Sequence, residues 1–215
     1  MEKPILATNI DGFLIDHSAF IESHRIWFDR AILLTKDNSL GQWKGHPKYF
    51  KGVNIAMEKI MPDVNKGQRT IQARTWYQED IIHYIKLHPE IINYQLVETL
   101  KKLKQRFTLA LITTNTKEHI QEILKAANLE GLYDIIHASS SDEEPDKLKV
   151  FEEFKSKYGN PKYYVASRSK EAFEACLKIG TICIYFTQNK IDPKIQKAAS
   201  RTLTTFKELE LLNNI

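Results

Sequence analysis

Two short stretches carry residues able to do chemistry on an anion. In Asn9-Ile10-Asp11-Gly12 a carboxylate stands beside a glycine, just after the apolar run Ile5, Leu6 and Ala7. Such a run reads as a buried parallel strand that Asp11-Gly12 breaks, with Leu14 and Ile15 resuming the apolar pattern. A carboxylate at the C-terminal end of a strand sits where open α/β sheets bind ligands. A plain surface turn accounts for the same pair, since Asp-Gly is a common turn. In Thr114-Asn115-Thr116 hydroxyls follow a second apolar run and precede a helical pattern. Hydroxyls and free amides at a helix N-terminus form an anion site; simple capping by Thr114 or Thr116 is the alternative.

The elements that must hold these residues alternate along most of the chain. Residues 91–106 form an amphipathic helix with Leu96, Leu100 and Leu103 on one face, followed by a buried strand over 108–113. A helix through Ile120, Ile123, Leu124 and Leu129 comes next, then a strand over 134–138 and a polar loop, 139–146. After it come a helix with Leu148, Phe151 and Phe154, a strand over 163–166 and a helix over 171–179, closed by Gly180. A strand over 181–186 and a helix over 205–212 complete the pattern. Strand–helix alternation implies right-handed βαβ units and hence an α/β fold, a Rossmann-like parallel sheet flanked by helices.

One tract interrupts that order. Residues 18–88 hold no convincing strand, and Phe20, Ile21, Ile26, Trp27, Ala31 and Leu34 repeat with a helical period. Gly41, Gly45 and Pro47 end that helix. A second carries Phe50, Ile55, Met57, Ile60 and Met61, and a third runs from about residue 68 to His88-Pro89. The division expected is a core of residues 1–17 and 90–215, with a helical insertion over 18–89.

Composition sets limits. The chain has 215 residues, 42% of them hydrophobic, enough for one well-cored domain with an inserted module. Its net charge of +4 is spread over interspersed lysines and glutamates, a solvated surface that argues against nucleic-acid binding. Cys176 and Cys183 lack metal-like spacing and imply reduced thiols in the cytoplasm. The opening Met1-Glu2-Lys3-Pro4 lacks the apolar core of a signal peptide, and no apolar run is long enough to span a membrane.

The stretch Asn9-Ile10-Asp11-Gly12-Phe13-Leu14, followed by Ile15-Asp16, resembles the first motif of the haloacid dehalogenase-like (HAD) superfamily, mostly phosphotransferring hydrolases. The usual form is D-x-D-G-T-L, so Asn9 stands at the nucleophilic aspartate and Phe13 at the threonine. The resemblance implies a phosphate held by Gly12, Thr114 and Asn115, and makes the inserted helices a substrate-selecting cap. For the lysine that neutralises the phosphate it offers two registers. One falls on Glu144 before Pro145, which reverses the charge, and the other on Lys147 at the start of the next helix. The fourth motif, G-D-x-x-x-D, falls on Ala166-Ser167-Arg168-Ser169-Lys170-Glu171, with Ser167 replacing the first aspartate and Glu171 near the second.

The same resemblance implies Mg²⁺ held by Asn9, the Asp11 carbonyl and Ser167, with Glu171 in the outer shell. Both direct carboxylates are lost, and Mg²⁺ wants hard, charged oxygen ligands, so weak or absent binding is expected. A neutral amide oxygen is also a poor nucleophile. The expectation is a catalytically impaired phosphatase scaffold, a pseudoenzyme that binds a phosphorylated small molecule or a protein partner. Two alternatives stand beside it: an active phosphohydrolase using Asp11 as base, and an interaction module docking through Trp27, Trp43 and Trp76.

Overall fold

Leu6, Ala7 and Thr8 are wholly buried in the first strand, Ile5–Thr8 (β1). Burial on both faces is what a central strand of a parallel sheet requires. In the computed structural model, which describes residues 3–46 and 48–212, β1 pairs with Thr108–Thr116 (β2) on one side and Tyr163–Ala166 (β4) on the other. Ile135–Ser139 (β3) flanks β2, while Ile182–Phe186 (β5) and Arg201–Leu203 (β6) extend the other edge. The order is β3-β2-β1-β4-β5-β6, with every pairing parallel. The chain is an α/β protein with a Rossmann-like parallel sheet.

Alternation along the strands divides the core into two layers. Leu6, Leu109, Leu111, Val165 and Ile184 meet helices Tyr94–Leu103 (α4), Lys117–Ala126 (α5) and Phe206–Glu210 (α9) on one face. Ala7, Ala110, Ile112, Tyr164, Ala166 and Cys183 meet Lys147–Tyr158 (α6) and Lys170–Lys178 (α7) on the other. Gly180 takes a φ of +86° just past α7, a left-handed conformation that glycine adopts without strain. Two elements were not anticipated: the short helix Pro193–Ala198 (α8) and β6. β2 also runs three residues further than expected, through a register shift between Thr113 and Thr116.

The helical tract consists of His17–Thr35 (α1), a 3-10 turn over Asn38–Trp43, Tyr49–Ile60 (α2) and Lys66–Leu87 (α3). Pro47, expected to interrupt it, lies outside the described residues. Trp27, Phe28, Ala31, Leu40, Val53, Met57 and Ala73 form a cluster within the tract, whereas Phe20, Ile81 and Ile85 join the sheet's core. The two ends of the tract are stitched together: Asp16 N–H donates to Ile91 O and Asn93 N–H to Leu14 O, both at 2.9 Å. The tryptophans expected at a docking surface are largely spent inside. Trp27 is 2% exposed and donates to Ala73 O at 3.0 Å. Trp43 packs against Gly52, where a Cβ would collide with its ring.

A buried hydrogen bond, Thr8 Oγ1 to Tyr133 Oη at 2.6 Å, fixes the end of β1. Tyr133→Phe strands the Thr8 hydroxyl in an apolar setting, and urea unfolding should show a loss of about 1–3 kcal/mol. An unchanged midpoint would mean that the two hydroxyls do not depend on each other.

Candidate functional site

Asn9 is the first residue past β1 and Ser167 the first past β4. Thr114 and Asn115 lie in the irregular end of β2, where the pairing to β3 shifts. Because β1 lies between β2 and β4, all four residues meet at the C-terminal edge of three adjacent strands. The irregularity re-aims the chain next to a site, as bulges do. Thr113 Oγ1 accepts from Asn115 N–H at 3.1 Å, and Thr116 caps α5 by accepting from His119 N–H. Capping therefore falls to Thr116, not to Thr114.

The geometry around Asn9 is specific. Its side chain is 9% exposed, and Nδ2 donates to the Asp11 carbonyl at 3.1 Å. Its Oδ1 is buried and has no partner among the described residues. Asp11 turns its carboxylate to His17, with Oδ1 2.6 Å from Nδ1. Gly12 has a φ of +67°, and a Cβ there would collide with the aliphatic stem of Arg168, which lies across it. Arg168 is near enough to Asp16 to help hold that carboxyl below its ordinary pKa, although hydrogen bonds from Ser18 do most of this. Ser169, at a φ of +73°, caps α7 from a left-handed conformation that strains a residue with a Cβ.

Lys147 opens α6, and Asp11 and Glu171 both face it closely enough to raise its pKa; burial outweighs them and lowers it. Among the described residues it forms no ion pair within 4.0 Å. Glu144, the other register for the motif-three position, points elsewhere: it pairs with Lys66 at 2.7 Å and accepts from Asn54 at 3.1 Å, both on the helical tract. Glu171 is exposed in the first turn of α7.

Mg²⁺ takes octahedral oxygen ligands, usually including carboxylates. Here the direct donors are the Asn9 amide oxygen, the Asp11 carbonyl and the Ser167 hydroxyl, all neutral. The Asp11 carbonyl already accepts from Asn9 Nδ2, while the implied ligand atom of Asn9, Oδ1, carries no charge to offer a cation. The described residues hold no group of three or more His, Cys, Asp or Glu able to bind a metal. The donor set does not suit the ion.

Three further residues join the site that motif spacing did not single out. Arg74 reaches from α3 to donate to Thr114 O at 2.9 Å and to Glu143 O. His17 holds Asp11. His24, on α1, stacks between Tyr49 and Tyr77 with centroids at 4.0 and 4.5 Å. Arg74 carried a signal: Thr70, Ala73, Arg74 and Ile81 are all buried on α3, at helical spacing. A charge inside a buried stripe is out of place unless it has a task.

His24 supplies a pH prediction. Desolvation lowers its pKa from 6.5 to about 4, with Asp11 opposing and His17 adding to the shift. The unfolded chain therefore binds the proton more readily, and stability falls as pH drops from 6.5 towards 4. The loss amounts to about 3 kcal/mol at most. His24→Phe should flatten this part of the stability–pH curve relative to wild type in urea unfolding. Parallel curves for the two proteins would contradict it.

The sequence matches no protein-family profile and no curated protein. Solved structures do resemble it over nearly the full length of both chains. The HAD-hydrolase YfnB of Bacillus subtilis, in a form bound to magnesium that reveals interdomain movement, superposes with a TM-score of 0.62 at 15% identity, covering 100% of each chain. A HAD phosphatase from Thermococcus onnurineus gives 0.65 at 16% identity, covering 99% of this chain and 98% of its own. A haloacid dehalogenase-like hydrolase from Streptococcus pneumoniae gives 0.65 at 16%, covering 98% of each. Sheet order, strand-end residues and these superpositions agree: the chain has the fold of the haloacid dehalogenase-like hydrolases.

Proposed function

We propose that this chain is a catalytically impaired scaffold of phosphatase type that binds a phosphorylated ligand without transferring its phosphoryl group. The observation that carries the reading is the hydrogen bond from Asn9 Nδ2 to the Asp11 carbonyl. It places an amide where covalent phosphotransfer needs an anion, and it ties up an oxygen that the fold's resemblance assigns to Mg²⁺. Phosphate binding draws on Gly12, Thr114, Asn115 and the ammonium of Lys147, which has no ion-pair partner of its own among the described residues. Residues 18–89 act as a cap over this site; the contacts of Arg74 with Thr114 and Glu143 support that role. Mg²⁺ binds weakly or not at all, and the protein works in the cytoplasm.

A second reading has its own observation. The pair formed by Asp11 and His17 at 2.6 Å could activate a water, giving hydrolysis without a phosphoenzyme. Chelator-insensitive turnover that is lost in His17→Ala would favour it.

A steady-state assay with a generic aryl phosphate, with and without chelator, tests the main reading. Wild type and Asn9→Asp should stay near background, since each missing electrostatic element costs about 10²–10³ in rate. Asn9→Asp combined with Ser167→Asp should gain magnesium-dependent turnover. Chelator-sensitive turnover by the unmodified protein would refute impairment. Robust activity of Asn9→Asp alone would move the missing ligand from Ser167 to Glu171.

A further inference from the structure

Between the helical tract and the end of β2 lies a cavity of about 50 Å³, walled by Trp27, Phe28, Tyr49, Tyr77, His24 and Arg74, and also touching Thr114 and Asn115. Two polar groups in its aromatic wall lack partners among the described residues. Arg74 is 7% exposed and its Nε–H finds no acceptor there, although both of its terminal nitrogens donate to carbonyl oxygens. His24 Nε2 is buried and equally unpaired, on a ring stacked on Tyr77 and tilted against Tyr49. Among the described residues no carboxylate comes within 4.0 Å of the Arg74 guanidinium: the nearby Glu143 carboxylate is bound to Lys149. Burial destabilises this charge, and Glu143 and Asp142 offset it only from a distance, so the guanidinium is poised to accept an anion. Arginine presents its donors in the fork geometry that suits an oxyanion.

We propose that this cavity is the subsite for the carboxylate end of a short aliphatic ligand. Arg74 Nε–H donates to a carboxylate oxygen, and His24 donates from Nε2 in the neutral tautomer that carries its proton there. The aromatic rings enclose the carbon body. Size narrows the class: about 50 Å³ exceeds the roughly 10–15 Å³ that holds one water but falls well short of the roughly 150 Å³ that admits benzene. The assignment deepens the proposed function and rests on it. The phosphoryl group lies by Thr114 and Lys147 while the carboxylate turns towards α3, so the ligand is a compact phosphorylated acid.

Calorimetric titrations of the full chain with propionate, benzoate and inorganic phosphate separate the two claims. Propionate should bind wild type, weaken about tenfold or more in Arg74→Lys, and weaken several-fold in His24→Phe, which keeps the stacked ring but removes Nε2. Benzoate should bind more weakly than propionate. Phosphate binding should weaken in Lys147→Ala. Propionate binding that is absent, or equal in wild type and both variants, overturns the carboxylate subsite, while phosphate binding through Lys147 leaves the wider function standing. Propionate binding that depends on Arg74 and His24 supports the subsite, and a lack of phosphate binding alongside it would defeat the wider function alone. Should Arg74→Lys fail to fold, because Arg74 also ties two loops together, His24→Phe decides the question.

Discussion

Everything at this site hangs from the double pairing of β1. Its four residues are hydrogen-bonded to β2 on one side and β4 on the other, and three of them are sealed from water. A strand held on both edges cannot shift register without breaking two ladders, and a slip of one residue would turn every side chain to the wrong face. Asn9 is therefore presented at a fixed point, level with the end of β4 and beside the last residues of β2. What that point can do is then decided by side-chain chemistry alone. The amide there folds back on the Asp11 carbonyl and closes a small loop of neutral groups.

Charge around this loop comes from side chains that the fold brings in from elsewhere. Lys147 arrives with α6 on one face of the sheet. Arg168 follows β4 and lies across Gly12, where only a residue without a side chain leaves room. Arg74 comes from α3, forty residues before its acceptor Thr114. Each cation sits on a separate element, so the positive character of the crevice depends on sheet and helical tract being docked together. The tract is bound to the core at two levels. Ile81 and Ile85 bury in the main core, and Arg74, Asn54 and Lys66 reach the end of β2 and the loop beyond β3.

Much of the sheet was legible because its strands are buried runs with sharp ends: YYVA corresponds to β4 residue for residue. The edge was not. β6 has three residues, begins with the exposed Arg201, and follows a helix rich in lysine and glutamine, so neither alternation nor burial marks it. The shift at 113–116 escaped notice because periodicity records which residues are apolar and not how two strands pair. At the site, Asn9, Asp11, Thr114, Lys147 and Ser167 could be named from strand ends and motif order. His17 and His24 could not, since each earns its place through contacts that only the folded tract creates. The tryptophans divide: Trp27 is buried, while Trp43 and Trp76 stay half-buried.

The central claim is that an anion is held here by the chain's own donors and cations, with no divalent ion between. The most direct measurement is the affinity for inorganic phosphate, by calorimetry, in EDTA and in saturating Mg²⁺. The account predicts the same dissociation constant in both. An affinity that collapses in EDTA and returns with Mg²⁺ would contradict it.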